Sequence, residues 1–566
     1  MVPCARDPTS KGRSPTPVPP MRAMGPVMGR IVPVLLLVVL WLAVFRTVLS
    51  GAAVHFYGDL ALYFIPQFDF QSDVLRAGRV PLWNPYVLAG VPFVGNPQAS
   101  PLYPTAWMLS GLSAEHAVGV VGALHCLWAA LGMWLGLRRF GAGAPGAWLG
   151  AVVYGFGGAL VSKLQFPNMV AAGAWLPWLL WCLDGLLARP GPRSAALWGG
   201  VLALSVLAAH PQITFFGLLV CCAWIVRRRP ERRTLWWLTS GTVAGGVLAG
   251  CWLIPVVETT LGSVRPQLGL AQANRFVLPP EGLGVLWVAP WFFGTPWGEP
   301  GWVLSGNVWE SCVFVGWIPV LLAVAGFWRG RRNGLVRWWA GVFVVSVWLA
   351  LGRAGGLYSV AYLLVPGLSK FHDPARFLLI AQWALAFLAA FGLDCVDVRP
   401  ARLRRLVLWS LALGAAFPLG DFATRFYPTM DRAEFAAARR ELARAIPDSG
   451  LVWHQGVLAG WRRSIERKGF QPLLSDGASF RFVASGLPNL PMLVGRRMAD
   501  GYEPVRPAAT DLRRGTLMSE RGREAAGWED TLVARYGIGV VGRSGGTGLE
   551  TGWRATGFNA DVIGWK

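Results

Sequence analysis

Between residues 31 and 420 the chain alternates long apolar runs with short polar stretches, and the runs have the length a bilayer requires. Crossing roughly 30 Å of hydrocarbon takes about 20 apolar residues in a helix. Runs of that order lie at 31–49, 117–137, 146–163, 168–188, 195–209, 211–226, 235–257, 309–328, 336–352, 376–396 and 403–420. The pattern predicts about eleven membrane helices. His210-Pro211 interrupts the 195–226 stretch and divides it into two spans, because proline cannot continue a helix hydrogen-bond ladder. The first run follows Arg30 and ends on Ser50-Gly51-Ala52, a pattern shared with signal peptides. The many spans behind it favour an uncleaved first helix.

The basic residues fall between the runs in a regular order. Arg138-Arg139, Arg189 with Arg193, Arg227-Arg228-Arg229 with Arg232-Arg233, the cluster at 329–337 and the cluster at 399–405 all lie on the same side as Arg30. Positive loops stay in the cytoplasm, so the N-terminus is expected inside. The long connections 51–115, 258–308 and 353–375, together with residues 421–566, then emerge outside.

The flanks differ in kind. Residues 1–29 are rich in Pro, Arg and Ser and are expected to be disordered, with Met21, Met24 and Met28 as internal candidate starts. Residues 421–566 mix a helical stretch at 431–445 with β-like runs at 480–484 and 532–541. Asp431, with Glu434 three residues on, suits the helix start. The expected organisation is a disordered tail (1–29), a transmembrane domain (30–420) and a small extracytoplasmic α+β domain (421–566).

Composition narrows the function classes. Hydrophobic residues make up 54% of the chain and charged ones 14%, with a mean hydropathy of +0.44. Most of this length cannot be a water-soluble enzyme. The net charge of +22 does not indicate nucleic acid: residues 1–420 hold 31 basic against 14 acidic side chains, in short clusters that set topology, and residues 421–566 hold 21 against 16. Anionic lipid headgroups are the expected partners of these clusters. Six of the cysteines lie in or beside apolar runs and no CxxC occurs, so neither a zinc site nor a disulfide framework is indicated. GxxxxGK[ST], HExxH and a GxSxG tied to a triad are all absent.

The polar chemistry gathers in the connections expected outside. Asp59 stands next to Gly58, within about ten residues of the first span's end, amid aromatics. A carboxylate partly desolvated at the mouth of a bundle gains proton affinity and suits general-base work; as a bland alternative it caps a helix. Gln67 and Gln71, and Asp69 and Asp73, are four apart and share helix faces, while Phe64, Phe68 and Leu75 give an apolar side suited to an interfacial helix. Asn84, Asn96 and Gln98 are neutral groups able to read sugar hydroxyls, and Trp83 could stack on a sugar ring, although Asn84-Pro85 and Asn96-Pro97 are also turn formers. His210 and Gln212 lie at an outer turn and are candidate ligand contacts, or partners of backbone freed by Pro211. Glu310 sits at an outer span end, where it would touch sugar or metal or be merely solvated. Lys370 and Arg376 stand at the outer start of a span, where a lipid phosphate would lie; Arg grips phosphate with a planar fork and Lys as a point charge. Snorkelling gives both an ordinary reading.

Two strings carry a family resemblance. Gly58-Asp59, Pro81-Leu82-Trp83-Asn84-Pro85-Tyr86 and Gly90-Val91-Pro92 together resemble the first loop of the YfhO-type bacterial membrane proteins, within the GT-C class of integral-membrane glycosyltransferases. Lys370-Phe371-His372-Asp373-Pro374-Ala375-Arg376-Phe377 is similar to their arginine-proline loop, with His372-Asp373 where an arginine is usual. Asn489, Gly501-Tyr502 and the 533–541 run resemble their C-terminal pattern.

The resemblance implies inverting transfer of a sugar from a polyprenyl phosphate to a cell-envelope polysaccharide or lipid acceptor, at the outer face of a bacterial plasma membrane. Asp59 would be the base. Arg376 and Lys370 would meet the donor phosphate, and Gln67, Trp83, Asn84, Asn96, Gln98, His210, Gln212 and Glu310 the sugar or acceptor. The residues single out no cofactor, and a divalent metal is optional. Two other classes compete: a lipid-linked-sugar flippase or transporter, and a non-catalytic scaffold binding envelope polymer. Ionisable groups near the bilayer midplane would favour the transporter, but Lys163, Asp184, Glu258 and Asp394 all fall near span ends.

Overall fold

The computed structural model describes residues 28–56, 58–263, 269–286, 308–446, 451–455, 483, 489–498, 538–544 and 551–555. The expected tail before residue 28, most of the 480–484 run and Gly501-Tyr502 lie outside the described residues.

The chain opens with α1 (Met28–Leu49) and a short strand β1 (Ala53–His55). A π-helical turn, Leu60–Phe64, then runs into α2 (Ile65–Arg76), followed by β2 (Trp83–Asn84), β3 (Val91–Pro92) and α3 (Pro104–Met108). The first part of the bundle is α4 (Ala114–Arg139), α5 (Ala144–Phe156), α6 (Gly158–Val161), α7 (Pro167–Ala188), α8 (Pro192–Leu207), α9 (Pro211–Arg228) and α10 (Arg232–Leu261). Short helices α11 (Leu270–Ala273) and α12 (Val308–Ser311) precede α13 (Trp317–Gly330), α14 (Gly334–Ala350), α15 (Leu357–Leu364), α16 (Leu378–Asp394) and α17 (Ala401–Arg425). Beyond them come β4 (Thr429–Asp431), α18 (Arg432–Ala445), β5 (Leu451–Gln455), β6 (Ile538–Ser544) and β7 (Thr551–Ala555).

Seven helical segments among the described residues are long and apolar enough to cross a bilayer, with α8, α13 and α14 as shorter apolar helices. The protein is therefore a multi-pass membrane protein. α5, α7 and α16 are apolar on every face because they form the centre of the bundle. α10 leaves Val243, Val247, Ile254 and Leu261 exposed, as a lipid-facing helix does. α8 and α9 are separate helices broken at His210, as the proline predicts.

The expected 309–328 span is corrected. The apolar helix there is the shorter Trp317–Gly330, and residues 312–316 run outside any helix, ending at Gly316 with a φ of +81°. The expected 146–163 span is broken as well, at Gly157 between α5 and α6. The break at Gly157 is satisfied by the second break and by α16: Gly158 N–H donates to the Phe314 carbonyl at 2.7 Å, and Ala159 N–H donates to Gln382 Oε1 at 2.8 Å. Unwound backbone inside a bundle persists only with such partners.

Glycines set the closest approaches. A Cβ on Gly199 of α8 would lie 2.5 Å from the Gly241 carbonyl oxygen of α10, and one on Gly326 of α13 would lie 2.6 Å from the Leu388 carbonyl of α16. Gly392 faces the Leu322 carbonyl still more closely. Gly392→Val is expected to force α13 and α16 apart at a cost of about 1–3 kcal/mol. Thermal unfolding in detergent measures this, against Gly341→Val, whose Cβ position is open.

The chain beyond the bundle folds back onto the first connection. β1 pairs antiparallel with β4, Ala53 opposite Asp431. Asp431 caps α18 as expected, accepting from Ala433 N–H at 2.7 Å. β5 pairs parallel with β6 and β6 antiparallel with β7, so helix and sheet both occur after residue 421. Arg439 of α18 forks onto Asp69 of α2 at 2.8 and 3.2 Å. Met498 exchanges backbone hydrogen bonds with Tyr86 and Ala89 at 2.7 and 2.8 Å.

Candidate functional site

Asp59 lies half-buried at the mouth of the turn that becomes α2. Gly58 before it has a φ of +48°, and a Cβ there would come 2.5 Å from Gln165 Oε1. Only glycine permits both the left-handed backbone and that approach. The turn carrying Asp59 is thus seated against residues 162–166, the link between α6 and α7.

One turn further, α2 forms a wall of an open cleft whose empty volume, mouth included, is about 530 Å³. Phe64, Gln67, Phe68 and Gln71 face it from one side, Phe93, Gln98, Ser100, Tyr103 and Thr105 from the loop, and Val118, Pro167, Asn168 and Ala171 from the bundle. Every side chain lining it is uncharged at neutral pH.

A second constellation lies behind it, buried. Glu310 of α12 pairs with Lys163 Nζ at 3.1 Å and with Arg376 at 2.9 Å. Arg376 also meets Asp373 Oδ2 at 2.9 Å and donates to Gln212 Oε1 at 2.6 Å. Gln212 Nε2 donates to the His372 carbonyl, and His372 Nδ1 meets Asp373. Burial alone would raise the Glu310 carboxyl, but Arg376 and Lys163 outweigh it and hold the pKa down to about 2. Two cations and two carboxylates thereby balance, with a small cavity of about 250 Å³ beside them. Asp373 sits at a φ of +62°, and its second carboxylate oxygen is buried without a hydrogen-bond partner. The network locks four separate segments together: the α6–α7 link, α12, the start of α9 and the 372–376 strap.

These placements sort the expected residues. Gln67 and Gln98 line the cleft. Asn84 is fully buried, donating to Gln67 and accepting from Tyr86 N–H, and Asn96 holds Tyr63 and Gln98 N–H in the same way. Both asparagines build turns, so contact with a sugar is not the role this geometry gives them. Trp83 is 55% exposed with its ring against Gly90, away from the cleft lining. His210 is buried and caps α9 through its Nδ1, accepting from Ile213 N–H at 3.3 Å. Gln212 and Glu310 are internal members of the lock, not solvated outer ligands, because burial beside two cations demands a partner for every charge. Arg376 has its guanidinium engaged by the same lock, whereas Lys370 is exposed. Asp59 is not among the residues lining either cavity.

Lys163 and Tyr103 carry roles that the sequence pattern concealed: Lys163 follows an apolar run and reads as a helix-end residue, and Tyr103 lies within the long first connection, where nothing in its neighbours singles it out. Among the described residues, no group of three His, Cys, Asp or Glu side chains is placed to hold a metal ion.

No protein-family model matches the sequence, and no curated protein does either. Solved structures do. The arabinofuranosyltransferase AftD from Mycobacteria superposes with a TM-score of 0.52 at 16% identity, over 91% of this chain and 35% of AftD. This chain therefore spans about a third of that protein's length. ArnT from Cupriavidus metallidurans, solved bound to undecaprenyl phosphate, covers 93% of this chain and 94% of its own at 12% identity, with a TM-score of 0.49. At these identities the likeness concerns the fold, and the chain is an α-helical, multi-pass membrane protein with a GT-C-like fold.

Proposed function

We propose that the protein is a glycosyltransferase of the YfhO type, moving a sugar from a polyprenyl phosphate to a cell-envelope acceptor at the outer face of a bacterial plasma membrane. The observation that carries this reading is the uncharged cleft reached one turn beyond Gly58-Asp59, in a fold similar to that of an arabinofuranosyltransferase. The sugar occupies the cleft, its apolar faces on Phe64 and Phe93. Asp59 takes the proton of the acceptor hydroxyl as that oxygen attacks the anomeric carbon from the face opposite the lipid phosphate, which inverts the configuration. Negative charge then develops on the departing phosphate. Lys370, exposed near the strap, is the cation assigned to it, and Arg376 fixes the strap. The basic clusters support a cytoplasmic N-terminus and an outer location for residues 421–566.

The direct test is transfer in vesicles holding the full chain, a labelled polyprenyl-phosphate sugar and envelope acceptors. Released polyprenyl phosphate matched by glycosylated acceptor is the expected result. Intact donor across a panel of neutral and charged sugars would overturn the reading.

A further inference from the structure

The cleft's polar groups are unlike those of the lock behind it. Gln71 is 3% exposed, yet its side-chain amide has no hydrogen-bond partner among the described residues, and it lines the cleft. The residue is buried but its amide lines the cleft, so its donor and acceptor are available for something that enters. Gln71 shares the inner face of α2 with Gln67, one turn away, and Gln67 is already engaged by Asn84 at 3.2 Å.

Opposite, Tyr103 is fixed by a buried relay. Trp175 Nε1 donates to the Tyr103 hydroxyl at 2.8 Å, that hydroxyl lies 2.7 Å from His125 Nε2, and His125 Nδ1 lies 2.7 Å from the Val121 carbonyl. An indole N–H only donates and a carbonyl only accepts. His125 therefore carries its proton on Nδ1, and Tyr103 gives its own proton to Nε2. Any further contact by the Tyr103 oxygen is as an acceptor.

Charge is excluded from this space. No lining residue is ionised, and the two carboxylates of α2 are each matched by an arginine, Asp69 by Arg439 and Asp73 by Arg76. A charged ligand entering here would lose water without gaining a counter-ion.

We infer that the cleft is a binding site for a neutral glycosyl unit, with Gln71 as its principal hydrogen-bonding residue, and that it rejects uronic acids and protonated amino sugars. As the sugar seat of transfer this rests on the function proposed above; as a binding site it is tested without any transfer. A neutral sugar exchanges its water for the Gln71 amide and the Ser100 and Thr105 hydroxyls, while its apolar faces meet Phe64 and Phe93.

The experiment is saturation-transfer NMR and titration of the full chain in nanodiscs with methyl glycosides of neutral pentoses and hexoses, a methyl glucuronoside, and a methyl glucosaminide with its amine protonated. Wild type is expected to bind a neutral glycoside about tenfold or more tighter than either charged one. Gln71→Leu should weaken neutral binding by about tenfold, consistent with one lost hydrogen bond to a buried site. Gln71→Glu should shift preference towards the ammonium sugar, a gain that misfolding cannot produce. Charged glycosides binding as well as neutral ones, no binding of any neutral glycoside, or neutral binding indifferent to both substitutions would each overturn the inference. Gln71-dependent binding of a neutral glycoside without any transfer would instead remove the transferase reading and leave this site standing. Efficient transfer of a charged sugar would do the reverse.

Discussion

Asp59→Asn is expected to lower glycosyl transfer by about 10²–10⁴-fold, the usual contribution of a positioned general base, with the unfolding temperature and donor binding unchanged. The asparagine keeps the shape of the side chain and one accepting oxygen at the half-buried turn but cannot accept the acceptor's proton. The split between transfer and binding is what separates a base from a residue that merely shapes the turn. A structural role would lower the unfolding temperature together with turnover, because Gly58 and the π-helical turn depend on the fit against Gln165. Turnover equal to wild type would remove Asp59 from the mechanism and leave the cleft without an assigned base. Single-turnover transfer with a pre-bound labelled donor makes the measurement clean, since product release then plays no part.

The second large effect is on stability. Glu310→Gln is expected to cost about 3–5 kcal/mol, the penalty for stranding a buried charge by removing its partner. Lys163 would lose its carboxylate at 3.1 Å, and Arg376 would keep only Asp373 and Gln212. Because Glu310 joins the α6–α7 link to the 372–376 strap, the loss should appear as a lower unfolding temperature and a loosened strap, seen as faster hydrogen exchange at 372–376. Adding Lys163→Met should recover part of the loss, since it removes the cation left unmatched; an additive double mutant would deny the coupling. An unchanged unfolding temperature in Glu310→Gln itself would mean that the network contributes nothing to stability.

How much of this was legible in the sequence depends on the range of the interaction involved. Span positions, the break at His210-Pro211, the helix carrying Gln67 and Gln71, and the cap at Asp431 follow from hydrophobic period and from local backbone chemistry, which neighbouring residues decide among themselves. The extended 312–316 segment was not legible in that way. It reads as apolar and spanning, and the partner of its Phe314 carbonyl is the N–H of Gly158, far away in sequence. Asn84 and Asn96 illustrate the same point in the loop: their neutral amides suit a sugar, but turns and the side chains of Gln67 and Tyr63 claim them first.

By itself, then, the order of apolar and polar residues determined a multi-pass helical membrane protein with its polar chemistry gathered in a few long connections. Those properties arise from partition between water and lipid, which each segment undergoes largely on its own. Tertiary structure alone decided which polar groups are bound to one another and which remain open. It consigned Glu310, Gln212 and Arg376 to a buried lock and left Gln71 facing a cleft. Burial takes away water, so a charge must find a distant counter-charge and an unmatched amide must await a ligand.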